Sequence, residues 1–124
     1  MKFYIATKFQ NKKRFDEVKA QMEAQGHTIT YDWSNAKVND IDQAMRDVLG
    51  VKEADIVIGI FEDEYVYKGA IAEIGMAMAW GKSIFILGDW LDNMIFMKLA
   101  NLHKIKSVTQ ITNFTDFSHW NKED

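Results

Sequence analysis

Ile56-Val57-Ile58-Gly59-Ile60-Phe61 carries no polar side chain on either of its alternating faces. A strand apolar on both sides belongs inside a parallel sheet covered by helices above and below, so this stretch is predicted as the central strand of an α/β fold. Working back towards the start, Ile41, Ala44, Met45, Val48 and Leu49 give the i, i+3, i+4, i+7, i+8 stripe of an amphipathic helix. Before it, Thr28 to Trp33 alternates Ile29, Tyr31 and Trp33 as a strand does. Lys12 to Gln25 places Phe15, Val18 and Met22 at helical spacing, with Asn11 as cap and Gly26 as stop, and Lys2 to Thr7 is a short β-prone opening strand.

Beyond the central strand lie an acidic loop, Glu62-Asp63-Glu64, an apolar helix from about Gly69 to Trp80, and a strand from Ser83 to Leu87. A helix near Asn93 to His103, a last strand over Lys106 to Ile111 and a short closing helix from Asn113 to Trp120 complete the pattern. Five βα units in series predict a doubly wound, flavodoxin-like or Rossmann-like α/β fold. Its five-stranded parallel sheet takes the order 2-1-3-4-5, with helices on both faces. The 124 residues fit one domain, 1–124, with no linker or internal repeat.

Composition narrows the function. Fifteen Lys and Arg against eighteen Asp and Glu give a formal charge of −3, without the basic excess that nucleic-acid binders use to neutralise phosphates. The absence of cysteine excludes thiolate chemistry and Cys-type zinc sites. His27, His103 and His119 lie at no metal-ligand spacing, so neither metal nor cofactor is expected. The segment from Gly75 to Gly81-Lys82-Ser83 superficially suggests a phosphate loop, but it holds one residue too many between its glycines. It also leads into a strand, where a phosphate loop must open a helix. Met1 to Ala6 runs at once into polar residues and cannot form the core of a signal peptide. No apolar run approaches the roughly 20 residues that span a bilayer. The expectation is a cytoplasmic protein without membrane contact.

In such a sheet, ligands bind beyond the carboxyl ends of the strands where the order reverses, here between the first and third strands. Thr7, Lys8 and Phe9 border that crevice from one side, and Glu62 to Lys68 with the helix start at Gly69 from the other. The helix has one ionisable residue, Glu73, whose row neighbours Ala70, Ala77 and Trp80 are apolar. Helical side chains lean towards the N-terminus, so Glu73 leans back to the crevice. A lone carboxylate there either has a partner and a task or sits near the helix start as a dipole-stabilised surface group. The helices at 69–80 and 90–102 are apolar around more of their circumference than one covered face needs, which points to a homodimer or higher homo-oligomer.

Three segments carry a resemblance: Phe3-Tyr4-Ile5-Ala6; Asp47 to Gly50 followed by Asp55-Ile56-Val57-Ile58-Gly59; and Gly69-Ala70-Ile71-Ala72-Glu73-Ile74-Gly75 followed by Gly81-Lys82. In this order, over about the first 90 residues, they resemble the nucleoside 2-deoxyribosyltransferase family. The resemblance implies cleavage of an N-glycosidic bond on a nucleoside or nucleotide, through a covalent glycosyl-glutamate on Glu73. It assigns Tyr4 to orienting that nucleophile and Asp47 to the sugar hydroxyls. Thr7, Lys8, Phe9 and Gly69, which border the crevice, and Tyr67, six residues before Glu73, are the further substrate-binding candidates, and the resemblance puts Asn93 where a neighbouring subunit completes the pocket. Two positions depart from the family's pattern. Tyr67 stands where Asp or Ser is usual, and Ile71 where a glycine is common. Read without the family, Asp47 flanks the apolar stripe of its helix as a surface residue would. Two rival functions stay open at this point: a TIR-like NAD glycohydrolase, which also uses a helix glutamate, and a catalytically inactive nucleotide-binding module.

Overall fold

The computed structural model describes residues 1–35, 41–88 and 108–111. Five strands run parallel in the order β2-β1-β3-β4-β5: β1 Lys2–Ala6, β2 Thr28–Ile29, β3 Ile56–Ile60, β4 Ser83–Leu87 and β5 Val108–Ile111. Helix α1 spans Lys12–Ala24, α2 Ile41–Glu53 and α3 Gly69–Ala79. This is the predicted topology, and the apolar run at 56–60 is its middle strand, buried along its whole length. Tyr4 pairs in register with Val57, and Val57 with Ile84. The chain reverses its direction of winding after β2. Right-handed crossovers therefore put α1 on one face and α2 with α3 on the other, and α2 packs against α3 and β1.

The core follows from the alternation along β1. Tyr4 points to the face covered by α2, where Gly50 lies against its ring. On α1, Phe15, Val18 and Met22 are buried, as their spacing predicts, and Phe15 meets the Trp33 ring edge-on with centroids 4.8 Å apart. Each such side chain contributes about 1.5–3 kcal/mol relative to remaining exposed.

Three local expectations are corrected. Asn11 precedes α1 but its side chain makes no capping bond; it donates to Thr7 Oγ1 at 3.3 Å, while its carbonyl accepts from the Phe15 N–H. Gly26 does end the α1 segment, at φ +89°. The second strand stops at Ile29, and Trp33–Asn35 forms a 3-10 turn. Its cause is local: Asp32 Oδ1 accepts from the Ser34 N–H and hydroxyl, closing an Asx turn. The turn carries the Trp33 indole inward to donate to the Ile5 carbonyl at 2.7 Å.

The third correction concerns α2. The helix forms as predicted, but its apolar stripe is not its buried side: Ile41, Met45 and Leu49 are 79%, 54% and 47% exposed, and Gly50 and Val51 face inward. The helices expected at 93–103 and 113–120, and Asn93 with them, lie outside the described residues. Among the described residues no helix is long and apolar enough to cross a membrane.

Where β4 ends, Gly88 adopts φ +91°, and a Cβ there would stand 2.1 Å from the Phe61 carbonyl oxygen. The close approach and the left-handed backbone both require glycine. Gly88→Ala is expected to destabilise the fold by about 3 kcal/mol, read as a lower urea midpoint at unchanged slope; an unchanged midpoint would contradict this packing.

Candidate active site

The carboxyl ends of β1 and β3 part above the sheet, where the strand order reverses. Thr7 Oγ1 donates to the Ile60 carbonyl at 2.8 Å and ties the two strand ends together. Above this tie opens a crevice of about 610 Å³, a size that suits a small organic ligand. Its β1 wall is Thr7 to Gln10, its opposite wall Tyr65, Val66 and Lys68 to Ala70, and Glu73, Asp47, Gln43 and Trp33 close it.

Glu73 reaches this place because α3 begins at Gly69, so a second-turn side chain leans back to the crevice. It is 8% exposed and accepts a short hydrogen bond from the Tyr4 hydroxyl, which rises from β1 beneath it. Asp47 comes from α2, and the Tyr4 phenol interacts with it as well. The spacing from Asp47 to Gly50 now has a reason. Residues three apart share a helix face, so the carboxylate and the glycine both meet Tyr4; a Cβ on residue 50 would stand 2.9 Å from its ring. Glycine lets α2 come close enough for Asp47 to join the pair.

The Tyr4 phenol therefore faces two carboxyl groups with a single proton of its own to donate. Burial is the largest influence on Glu73 and pushes its carboxyl up to about 8; the Tyr4 hydrogen bond opposes this and the Asp47 charge adds to it. Asp47 is also raised by burial, with Tyr4 opposing. Tyr4 itself is held protonated far above the usual phenol range, first by burial and then by the two carboxylates. Asp47 Oδ1 is buried with no hydrogen-bond partner among the described residues, leaving an acceptor for a donor in the crevice.

The wall opposite β1 is held by side chains from the segment after β1 and from α1. Lys8 pairs with Asp63 and lies 4.5 Å from the Tyr65 ring centroid. Arg14 grips Glu62 with two bonds of 2.7 and 3.1 Å. Tyr67 does not line the crevice: it is buried behind the wall, edge-on to Phe61 at 4.7 Å, and donates to Asp63 Oδ1 at 2.5 Å. Lys8 and Tyr67 together draw Asp63 below the usual carboxylate range.

Of the sequence-predicted residues, Glu73, Asp47, Thr7, Lys8, Phe9 and Gly69 line the crevice and Tyr4 lies directly under Glu73. Tyr65, Val66 and Lys68 line it from the 62–68 loop expected on that side, whereas Gln10 and Gln43 line it too and were not singled out. Gln43 was legible in principle, one turn before Asp47 on the same helix face. Among the described residues no three His, Cys, Asp or Glu side chains cluster as a metal site would need.

Burying an ionisable group in this way couples folding to pH. The folded carboxyl of Glu73 keeps its proton to about 8, whereas the unfolded one loses it near 4.5. Between these values the native state binds more protons, so stability falls as pH rises through the window. Glu73→Gln mimics the protonated acid. It is expected to be more stable than the wild type by a few kcal/mol at pH 8–9 and hardly different at pH 4.5, in denaturant titrations across pH; parallel curves would contradict the burial.

Comparison with known proteins adds independent information. A model of the family described as nucleoside 2-deoxyribosyltransferase matches residues 3–115. The solved structure of the Clostridium botulinum CMP N-glycosidase, BcmB, superposes with a TM-score of 0.68 at 28% identity, covering 90% of this chain and 87% of that one. A 2-deoxyribosyltransferase from Bacillus psychrosaccharolyticus shares the fold with a TM-score of 0.69 at 19% identity, over 99% and 94% of the two chains. A 2-desoxiribosyltransferase from Leishmania mexicana does so with a TM-score of 0.59 at 17% identity, over 70% and 63%. No curated protein sequence matches the chain significantly.

Proposed function

Because the chain belongs to the nucleoside 2-deoxyribosyltransferase family, whose solved neighbours are enzymes of N-glycosyl transfer and cleavage, we propose that Glu73 is the nucleophile for cleaving the N-glycosidic bond of a nucleoside or its 5′-monophosphate. The observation that carries this reading is the Glu73 carboxylate itself, buried at the edge of the crevice and held by Tyr4.

A Glu73 oxygen attacks the anomeric carbon, the C–N bond breaks, and the base leaves with the electron pair and a proton taken up from water at the open mouth. Water or a second base then attacks the same carbon from the vacated side and returns the carboxylate. One difficult displacement becomes two easier ones, and the carboxylate also stabilises positive charge on the sugar ring in both transition states. Tyr4 fixes the attacking oxygen. The Oδ1 of Asp47, without a hydrogen-bond partner among the described residues, accepts from a sugar hydroxyl, which also shields Glu73 from the Asp47 charge. Thr7, Lys8, Phe9, Trp33 and Gly69 bound the space left for the base and the 5′ end.

Two measurements test this reading. Intact mass after incubation with a 2′-fluorinated arabinosyl nucleoside, and with its 5′-monophosphate, is expected to show a sugar-sized gain on the wild type and none on Glu73→Ala; no gain with a panel of bases in either form would overturn the assignment. Attack requires the ionised carboxylate, so kcat/KM is expected to rise with pH to a midpoint near 8. A profile already flat from pH 5.5 would show that Glu73 ionises too easily for this environment.

A further inference from the structure

Breaking a glycosidic C–N bond creates negative charge on the base as well as positive charge on the sugar. The electron pair stays on the departing ring nitrogen and spreads onto an acceptor atom beside it, a carbonyl oxygen in pyrimidines and a ring nitrogen in purines. Glu73 and Tyr4 serve the sugar side of that bond, and Asp47, a carboxylate, cannot serve the other. Among the described residues two cations line the crevice, Lys8 and Lys68. Lys68 is exposed, whereas the Lys8 side chain is 15% exposed and is fixed twice, by its ion pair with Asp63 and by the Tyr65 ring, 4.5 Å from the ammonium. An ammonium has three N–H donors, and Asp63 takes one of them. The pair does not cancel its own field, because Asp63 is 55% exposed and water screens that carboxylate more than it screens the cation.

We propose that the Lys8 ammonium stabilises the leaving base by donating to an acceptor atom beside the departing nitrogen, with Asp63 and Tyr65 as its positioning residues. This rests on the N-glycosidic cleavage proposed for Glu73 and adds the group that acts on the other side of the bond. In the first step the Glu73 oxygen bonds to the anomeric carbon, the C–N bond breaks and its electron pair passes to the base. Lys8 keeps its own proton, and the base takes one from water. A donor fixed in advance where charge develops stabilises that charge without having to be ordered during the reaction. Tyr67 contributes from behind the wall, since its hydroxyl holds Asp63 Oδ1 while Lys8 takes Oδ2. The substrates that gain from Lys8 are N-glycosides whose base departs as an anion with an acceptor next to the broken bond.

The test compares kcat/KM, which reports the C–N cleavage step, for each base that the wild type accepts and for its fluorinated analogue: uracil with 5-fluorouracil, cytosine with 5-fluorocytosine, adenine with 2-fluoroadenine. Fluorine makes the base a better leaving group and so reduces its need for a cation. Lys8→Met keeps the apolar stem and removes the charge. It is expected to lower kcat/KM for the parent bases roughly 100-fold and to enlarge the advantage of the fluorinated partner about threefold or more. Asp63→Asn is expected to change both in the same direction by less, and it carries the test should Lys8→Met fail to fold. A loss that leaves the fluorine advantage unchanged would mark Lys8 as merely structural, and either that result or no loss at all would overturn the proposal while Glu73 stands as nucleophile. A wild type that cleaves none of the six would overturn the Glu73 reading and this one with it.

Discussion

The hydrogen bond from Tyr4 to Glu73 joins an interior strand to a helix that begins at the crevice, and much of the local architecture serves to hold that contact. Tyr4 is fully buried, so its hydroxyl must find a partner inside the protein. Glu73 is nearly as buried, so its carboxylate must be stabilised or stay protonated. Each group answers the other's need. The third member, Asp47, unbalances the pair, because a single phenolic proton cannot satisfy two carboxylates at once. That imbalance keeps the site short of full internal satisfaction and leaves an acceptor for a ligand.

Helix α2 carries two duties on opposite sides. Inward, Gly50 admits the Tyr4 ring and Asp47 follows it on the same face. Outward, the bulkiest apolar residues of the helix lie in the open. A helix whose inner face is made of an aspartate, a glycine and a valine gains little from burial, so its position rests on the close approach at Gly50 and on packing against α3.

The contrast between α2 and β3 explains what the sequence revealed. Two-sided hydrophobicity at 56–60 has one interpretation, a strand with layers on both sides, and it brought the sheet order with it. A helical stripe says only that one side of a helix differs from the other. It does not say whether the apolar side meets its own domain or something else, and at α2 the inward side is the polar-and-glycine side. Thr28 to Trp33 failed for a different reason: alternation of Ile29, Tyr31 and Trp33 is satisfied by a strand, but Asp32 and Ser34 offer the backbone a local turn that the alternation ignores. The isolation of Glu73 in an apolar helix was legible, because the cost of an unpaired buried carboxylate is large whatever surrounds it. The link to Tyr4 came from the resemblance. Residue spacing within one segment carries no information about which strand residue meets which helix residue across the fold.

The acidic run Glu62-Asp63-Glu64 shows how a loop can border an open crevice and still be held in place. Three like charges in succession repel one another and favour an extended, solvated chain. Here Arg14 takes Glu62 and Lys8 takes Asp63, while Tyr67 anchors Asp63 from the buried side. An exposed ion pair contributes only about 0–1 kcal/mol, so neither cation alone would fix the loop. Their effect depends on where they start. Lys8 follows the end of β1 and Arg14 lies in the first turn of α1, so the loop is held from two separate elements, and the aromatic contacts of Tyr67 with Phe61 and Tyr65 keep the loop's own backbone close to the sheet. Lys8, two residues past the strand that carries Tyr4, thus ties that side of the crevice to the loop at its opposite wall.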